Sequence, residues 1–302
     1  MARRPYGSNP SSRFRGPLMG AERAGPAAGA GATTLTQWYG RTRVMHNPFL
    51  ADYNIATTAP ISLVVHPIGS PSGHAVSITS AAVPYRGLPN AQFTGGTVAS
   101  TGAQWTQGVV DQGIGSSLAS ATARAYDPET VISFVTELSM TATNLATGTV
   151  AIGFINCHLT DRVLTTAGAV SAAADGFFFR IPSTGVMECV WASAGALVTT
   201  PANFTYVTSD TNPVAIRLGV RFAVNGLTLS ATPSLSGTSN ATYYINDTLV
   251  ATHSVASTGT PLLPLSMNPG IAVVNGGTQK TVHVPYWTMS MGPMRAGSGS
   301  GT

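Results

Sequence analysis

The sequence predicts an all-β protein: an antiparallel jelly-roll β-sandwich preceded by an extended N-terminal arm. Three observations carry this. Short runs rich in Val, Ile, Thr and aromatic residues recur from position 61 onward, separated by Gly, Pro, Asn and Asp. No window longer than about ten residues repeats apolar positions at i, i+3, i+4 and i+7, so helices are expected to be few and short. The stretch ATYYINDTLVATHSV places Asn246-Asp247 between two alternating runs. Both residues tolerate φ > 0, which a two-residue hairpin turn requires.

Taken in order, residues 1–60 read as a basic arm and tether. Arg3, Arg4, Arg13, Arg15, Arg23, Arg41 and Arg43 against Glu22 give the first 43 residues a charge of +6, while the remainder comes to −2. The first 35 residues are Gly/Pro/Ala-rich and too poor in apolar surface to order alone. Residues 36–60 add Trp38, Tyr39 and Phe49 without a convincing helical or strand period. Residues 61–125, looser and richer in Gly and Ser, form an additional β segment or a small β module. A division is expected near Asp127-Pro128, beyond which residues 126–292 form the main sandwich. Expected strands include ISLVVHPI, AVSITSAAV, GVVDQGIG, TVISFVTELSMTAT, GFFFRI, VMECVWAS, TYVTS, AIRLGVRFAV and KTVHVPYWTMSM. Residues 293–302 read as a flexible tail.

Composition narrows the function classes. Charged residues make up 9% of the chain and Lys280 is its only lysine, against about 25% charged in ordinary soluble domains. Such a surface loses little side-chain entropy when covered, which favours a subunit of an assembly. The uncharged stretch between Asp247 and Lys280 holds three prolines and many hydroxyl and amide groups, so no membrane helix is expected there. No apolar run follows Arg3 and Arg4, so no secretory leader is expected either, and synthesis is expected in a cytoplasm.

Catalytic and metal motifs are sparse. Asp127 and Glu129 form a close carboxylate pair, better read as turn residues beside proline than as a glycosidase pair. His158 and Asp161 lack ligand spacing, and the loop aspartates Asp161, Asp175, Asp210 and Asp247 lack the D-x-D-x-D pattern of a calcium loop. Cys157 and Cys189 read as two buried thiols. G-x-S-x-G, P-loop, G-x-G-x-x-G and C-x-x-C patterns are absent. No enzyme, cofactor or metal is expected.

A resemblance extends this reading. DGFFFR (175–180), MECVWAS (187–193), TYVTSDTNPVAIRLGVRF (205–222), the hairpin TYYINDTLVATHSV (242–255) and TPLLPLSMNPGIAVVNGGTQKTVHVPYWTMSM (260–291) follow one another in the order of a known module. The segment resembles the concanavalin A-like or laminin-G-like jelly roll of tailed-bacteriophage virion proteins. It departs at the turn, where related modules often carry Asp-Gly. The resemblance implies a structural virion protein on the capsid exterior. The expectation is a homotrimeric capsid decoration (cement) protein that stabilises the head by binding the major capsid protein lattice. Its docking arm would use Arg3, Arg4, Arg13, Arg15, Arg23, Arg41 and Arg43, with Trp38, Tyr39 and Phe49 as apolar anchors. One alternative is a glycan- or receptor-binding fibre module with Trp191, Tyr286 or Trp287 as a stacking face. Another is a jelly-roll shell protein whose arm binds nucleic acid, a partner less suited to a sandwich outside the shell.

Overall fold

The computed structural model describes residues 43–47, 63–70, 73–80, 84–85, 88–107, 126–156, 162–193, 196–229, 235–257, 267–277 and 279–294. They form two antiparallel sheets packed face to face, an all-β jelly-roll sandwich.

Sheet A contains β1 (Arg43–Asn47), β3 (Ala75–Thr79), β4 (Asn90–Thr94), β6 (Tyr126–Ser139), β11 (Ala215–Leu229), β12 (Leu235–Ile245), β13 (Thr248–Ser257), β15 (Thr281–Val284) and β16 (Trp287–Met294). Its order is β13-β12-β11-β6-β15-β4-β3. Strand β16 also pairs with β6, and β1 adds on the far side of β16. Sheet B runs β10-β9-β8-β7-β14-β5-β2, from β2 (Leu63–Ile68), β5 (Gly102–Gln107), β7 (Gly148–Asn156), β8 (Gly176–Ile181), β9 (Val186–Ser193), β10 (Ala196–Thr205) and β14 (Met267–Asn275). Among the described residues, no helix is long and apolar enough to cross a membrane.

Strands β2 to β5 divide between the two sheets, so this part of the 61–125 segment extends the sandwich rather than standing beside it. Asp127-Pro128 lies within the first turns of pleat of β6, not in a turn. Arg43–Asn47, expected as tether, pairs with Trp287–Met291; the backbone ladder along the free side of β16 makes this strand, and the side chains gave no alternation to reveal it. The expected strand TYVTS is instead loop after its first residue. Tyr206 Oη accepts the Met140 N–H and donates to the Val214 carbonyl, and Thr208 Oγ1 donates to the Met140 carbonyl. Those bonds hold 206–214 away from any ladder. The strand preceding it, ALVTTPANFT, contains Pro201, which a central strand would not accommodate; β10 is an edge, where proline is tolerated. GVVDQGIG lies outside the described residues.

The hairpin prediction holds. Asn246 and Asp247 have φ of 49° and 63°, as a type I′ turn demands.

Alternation along each strand sends one face inward. Between the sheets lie Phe93, Trp105, Phe134, Phe154, Phe177, Phe179, Phe222, Tyr243 and Trp287, all fully buried. Phe177 stacks on Phe222 at 4.8 Å and Phe134 meets Phe154 edge-on at 5.6 Å, one ring from each sheet. Such pairs add about 0.5–1.5 kcal/mol beyond area burial. At the open edge Tyr243 Oη donates to the Val190 carbonyl, and His253 Nε2 lies 3.0 Å from Thr200 Oγ1, so hydrogen bonds stitch one sheet to the other.

A five-residue helix, α1 (Ala142–Ala146), bridges β6 to β7 and is held at both ends. Thr141 caps it, and the Asp210 carboxylate accepts from Thr143 N–H at 2.7 Å and Thr143 Oγ1 at 2.9 Å. Those bonds lower the Asp210 pKa. At the other end Lys280 Nζ, fully buried, donates to the carbonyls of Asn144, Leu145 and Gly148 at 2.6, 3.2 and 3.3 Å. Burial pushes this ammonium down to about 7, while three carbonyl dipoles act in the opposite sense by binding its charged form.

Candidate functional site

The outward faces of the two sheets differ. On sheet B the loop 162–175 lies across the strands. Val163, Leu164 and Ala174 pack on Ala151, Ile155, Phe178, Val190 and Ala272, forming a second buried cluster. Gln104 Oε1 accepts the Val163 N–H, Arg162 Nε donates to the Pro67 carbonyl, and Arg180 bridges the Gly168 carbonyl and Glu188 at 2.9 and 2.7 Å. The middle of that face is covered by the protein's own chain, while Leu197 on the edge strand β10 stays exposed.

On sheet A the middle strands present their other face to solvent. The register sets Thr252, Thr242, Arg221, Ser133 and Ser290 in one row across β13, β12, β11, β6 and β16. The next row holds Tyr244, Gly219, Val135 and Thr288, and the third holds Arg217 opposite Glu137. Glycine is the missing side chain at the centre of this array, and its absence makes the site: a groove of about 200 Å³, lined by Ser133, Val135, Arg217, Gly219, Arg221 and Tyr244. A Cβ added at Gly219 would stand 3.5 Å from Tyr244 Cβ, an ordinary contact. The backbone does not require glycine there; the open floor does.

The arginines at the two ends of the groove are held differently. The turn anchors Arg217: Asn246 N–H donates to its carbonyl, its own N–H donates to Asn246 Oδ1, and Asp247 Oδ2 meets its Nη1 at 3.1 Å. Arg221 is exposed, and among the described residues no carboxylate pairs with it. Below it, Ser133 and Ser290 share a hydroxyl–hydroxyl bond of 2.5 Å. Beyond Arg217 lies a phenol and carboxylate cluster. Burial and then the Glu137 carboxylate raise the Tyr286 pKa, with Arg217 pulling the other way. Tyr85, buried with its hydroxyl outside hydrogen-bond geometry, is raised by burial and by the same Glu137.

The residues proposed from sequence are distributed otherwise. Trp287 is 0% exposed and stacks on Phe93 at 6.0 Å. It fills the core because inward alternation along β16 points it there, and it offers no ring face to a ligand. Trp191 is 7% exposed, its Nε1 buried without a partner among the described residues. Tyr286 is half-buried near the Arg217 end of the groove. Of the arm residues, Arg43 starts β1, which pairs with β16, and Arg3, Arg4, Arg13, Arg15, Arg23, Trp38, Tyr39, Arg41 and Phe49 lie outside the described residues. So do Cys157, His158 and Asp161; Cys189 is free and buried, its thiol pushed up to about 12 by burial. No group of three His, Cys, Asp or Glu is placed to hold a metal among the described residues.

Sequence reasoning missed Arg217, Gly219, Arg221 and Tyr244, although the signal was present. RLGVRF alternates charged or small residues with large apolar ones, which marks a strand with one open face.

No protein-family model matches the sequence, and no curated protein is significantly similar to it. Among solved structures, similarity extends to a conserved carbohydrate esterase from the Shiga toxin-encoding bacteriophage phi24B, at 10% identity over 77% of this chain and 91% of that one, with a TM-score of 0.41. It extends also to the Emp47p carbohydrate recognition domain, at 8% identity over 82% and 95% of the two chains and a TM-score of 0.43. The binding domain of botulinum neurotoxin DC, solved in complex with rat synaptotagmin II, has 11% identity over 75% of this chain and 43% of its own, with a TM-score of 0.38. The likeness is one of architecture.

Proposed function

We propose that this protein is a binding module, not an enzyme, and that the open face of sheet A receives a glycan on a receptor or cell surface. The observation that carries this reading is the groove over Gly219, a largely apolar opening lined by Tyr244, Val135 and Ser133 with Arg217 and Arg221 at its two ends. Sugars present both apolar C–H faces, which stack on a ring such as Tyr244, and vicinal hydroxyls, which planar arginines and short hydroxyl side chains can bond. The groove is smaller than the roughly 300–1,000 Å³ typical of sites for drug-sized ligands, which suits one residue of a longer saccharide. On this reading the module belongs to a virion and the basic N-terminal segment attaches it there.

Screening the full-length protein against an array of diverse glycans tests the reading. Hits that disappear with Tyr244→Ala, at an unchanged melting temperature, support it. An array without hits, or hits indifferent to Tyr244, overturns it.

A second reading, capsid decoration, is favoured by the +6 charge of the first 43 residues and by the β1–β16 ladder, which joins that segment to the sandwich. Deleting residues 1–35 should then abolish co-sedimentation with empty phage heads while the sandwich remains folded.

A further inference from the structure

The groove has an asymmetry that names its ligand more narrowly. Arg217 and Arg221 flank Gly219 on the same face of β11, with Cα atoms about 13 Å apart at the rise of an extended strand. Arg217 is paired with Asp247 at the surface and its backbone is tied to the turn. Arg221 stands opposite Ser133 on one side and Thr242 on the other, both uncharged, and has no acidic partner among the described residues. Thr242 Oγ1 donates to the Arg221 carbonyl, which fixes the strand position without engaging the guanidinium. In a chain with so few charges, an exposed guanidinium that pairs with no carboxylate among the described residues, in the same groove as Tyr244, is suited to an anion.

We infer that the ligand is an acidic saccharide, whose carboxylate or sulfate pairs with Arg221 while its ring lies over Gly219 against Tyr244. This inference rests on the glycan-binding reading above and adds the charge of the ligand. Arg217, already paired, orients the polar end of the groove.

The test is calorimetric titration of the full-length protein with three oligosaccharides of equal length. One is heparin-derived and sulfated, one is an oligogalacturonate bearing carboxylates only, and one is a neutral gluco-oligosaccharide. Five variants accompany the wild type: Arg221→Gln, Arg221→Lys, Gly219→Ala, Tyr244→Ala, and a chain with Arg3, Arg4, Arg13, Arg15 and Arg23 all changed to Ser to remove the competing basic segment. At least tenfold tighter binding of one acidic ligand over the neutral one is expected, and which one separates sulfate from carboxylate recognition. That preference should fall at least tenfold with Arg221→Gln, survive partly in Arg221→Lys, and persist in the arm variant. Gly219→Ala, which fits without a clash, should also weaken binding by raising the floor.

Neutral and acidic ligands binding alike, with sensitivity to Tyr244→Ala but not to Arg221→Gln, would overturn the inference and leave the glycan reading standing. Loss of binding in the arm variant with no effect of Arg221→Gln would overturn it too, as would equal competition by polyglutamate. Absence of binding to all three, together with an empty glycan array, would remove both readings.

Discussion

Sheets A and B share one core and the same residue types, yet the middle of one outer face is covered by a loop while, among the described residues, no loop crosses the other. The difference is written in apolar run length. In β7 and β8, AIGFI and GFFFRI place apolar side chains on both faces, and Phe177, Phe178 and Phe179 are all fully buried: two against the core and Phe178 under the loop 162–175. In β6 and β11 the pattern alternates, with Phe134, Leu138, Leu218 and Val220 inward and Ser133, Glu137, Arg217 and Arg221 outward. A face left polar by its strands needs no cover and remains available for a partner.

The strongest way to break this comparison is to truncate a residue on each outer face. Phe178→Ala should cost about 3–5 kcal/mol, because it empties a filled site beneath Val163 and Leu164. Thr252→Ala, on the exposed row of sheet A, should stay within about 0.5 kcal/mol. Urea unfolding of both variants measures the contrast, and equal costs would mean that the sheet B face is not a second core.

Next in size is Lys280→Met, which strips a buried donor from three carbonyls and should cost about 2–4 kcal/mol in the same assay. The effect belongs to the α1 junction and should leave glycan binding unchanged at temperatures where the variant is folded.

A smaller effect is expected from pH. Burial lowers the pKa of His253, at the seam between β13 and β10, and of His283, beside Asn90. The folded state therefore resists protonation that the unfolded chain accepts. Stability should be constant with respect to these two groups above about pH 6.5, the ordinary histidine value, and fall as pH drops through and below it. His253→Gln should flatten part of that acid limb in melting curves taken between pH 5 and 7.5. Smallest of all, Arg221→Gln should leave stability within about 0.5 kcal/mol, since its side chain is exposed and unpaired among the described residues.

The fold was largely legible because period-two alternation and turn chemistry are local signals. The Asn246-Asp247 hairpin is the clearest case. What escaped depended on neighbours. β10 contains Pro201 and is a strand only because it lies at an edge, and β1 is a strand only because β16 has a free side to pair with. The site escaped for the same reason. Trp287 looks like a stacking residue until the register turns it inward, and Gly219 reads as a weak strand position until Arg217, Arg221 and Tyr244 are arranged around it.

The most direct test of the central claim is hydrogen exchange of the full-length protein with and without the acidic oligosaccharide that binds it best. Slower exchange confined to peptides covering 131–139, 215–223 and 240–247, with 162–175 unchanged, is the predicted result. Protection over 162–175 or only within residues 1–42 would contradict it.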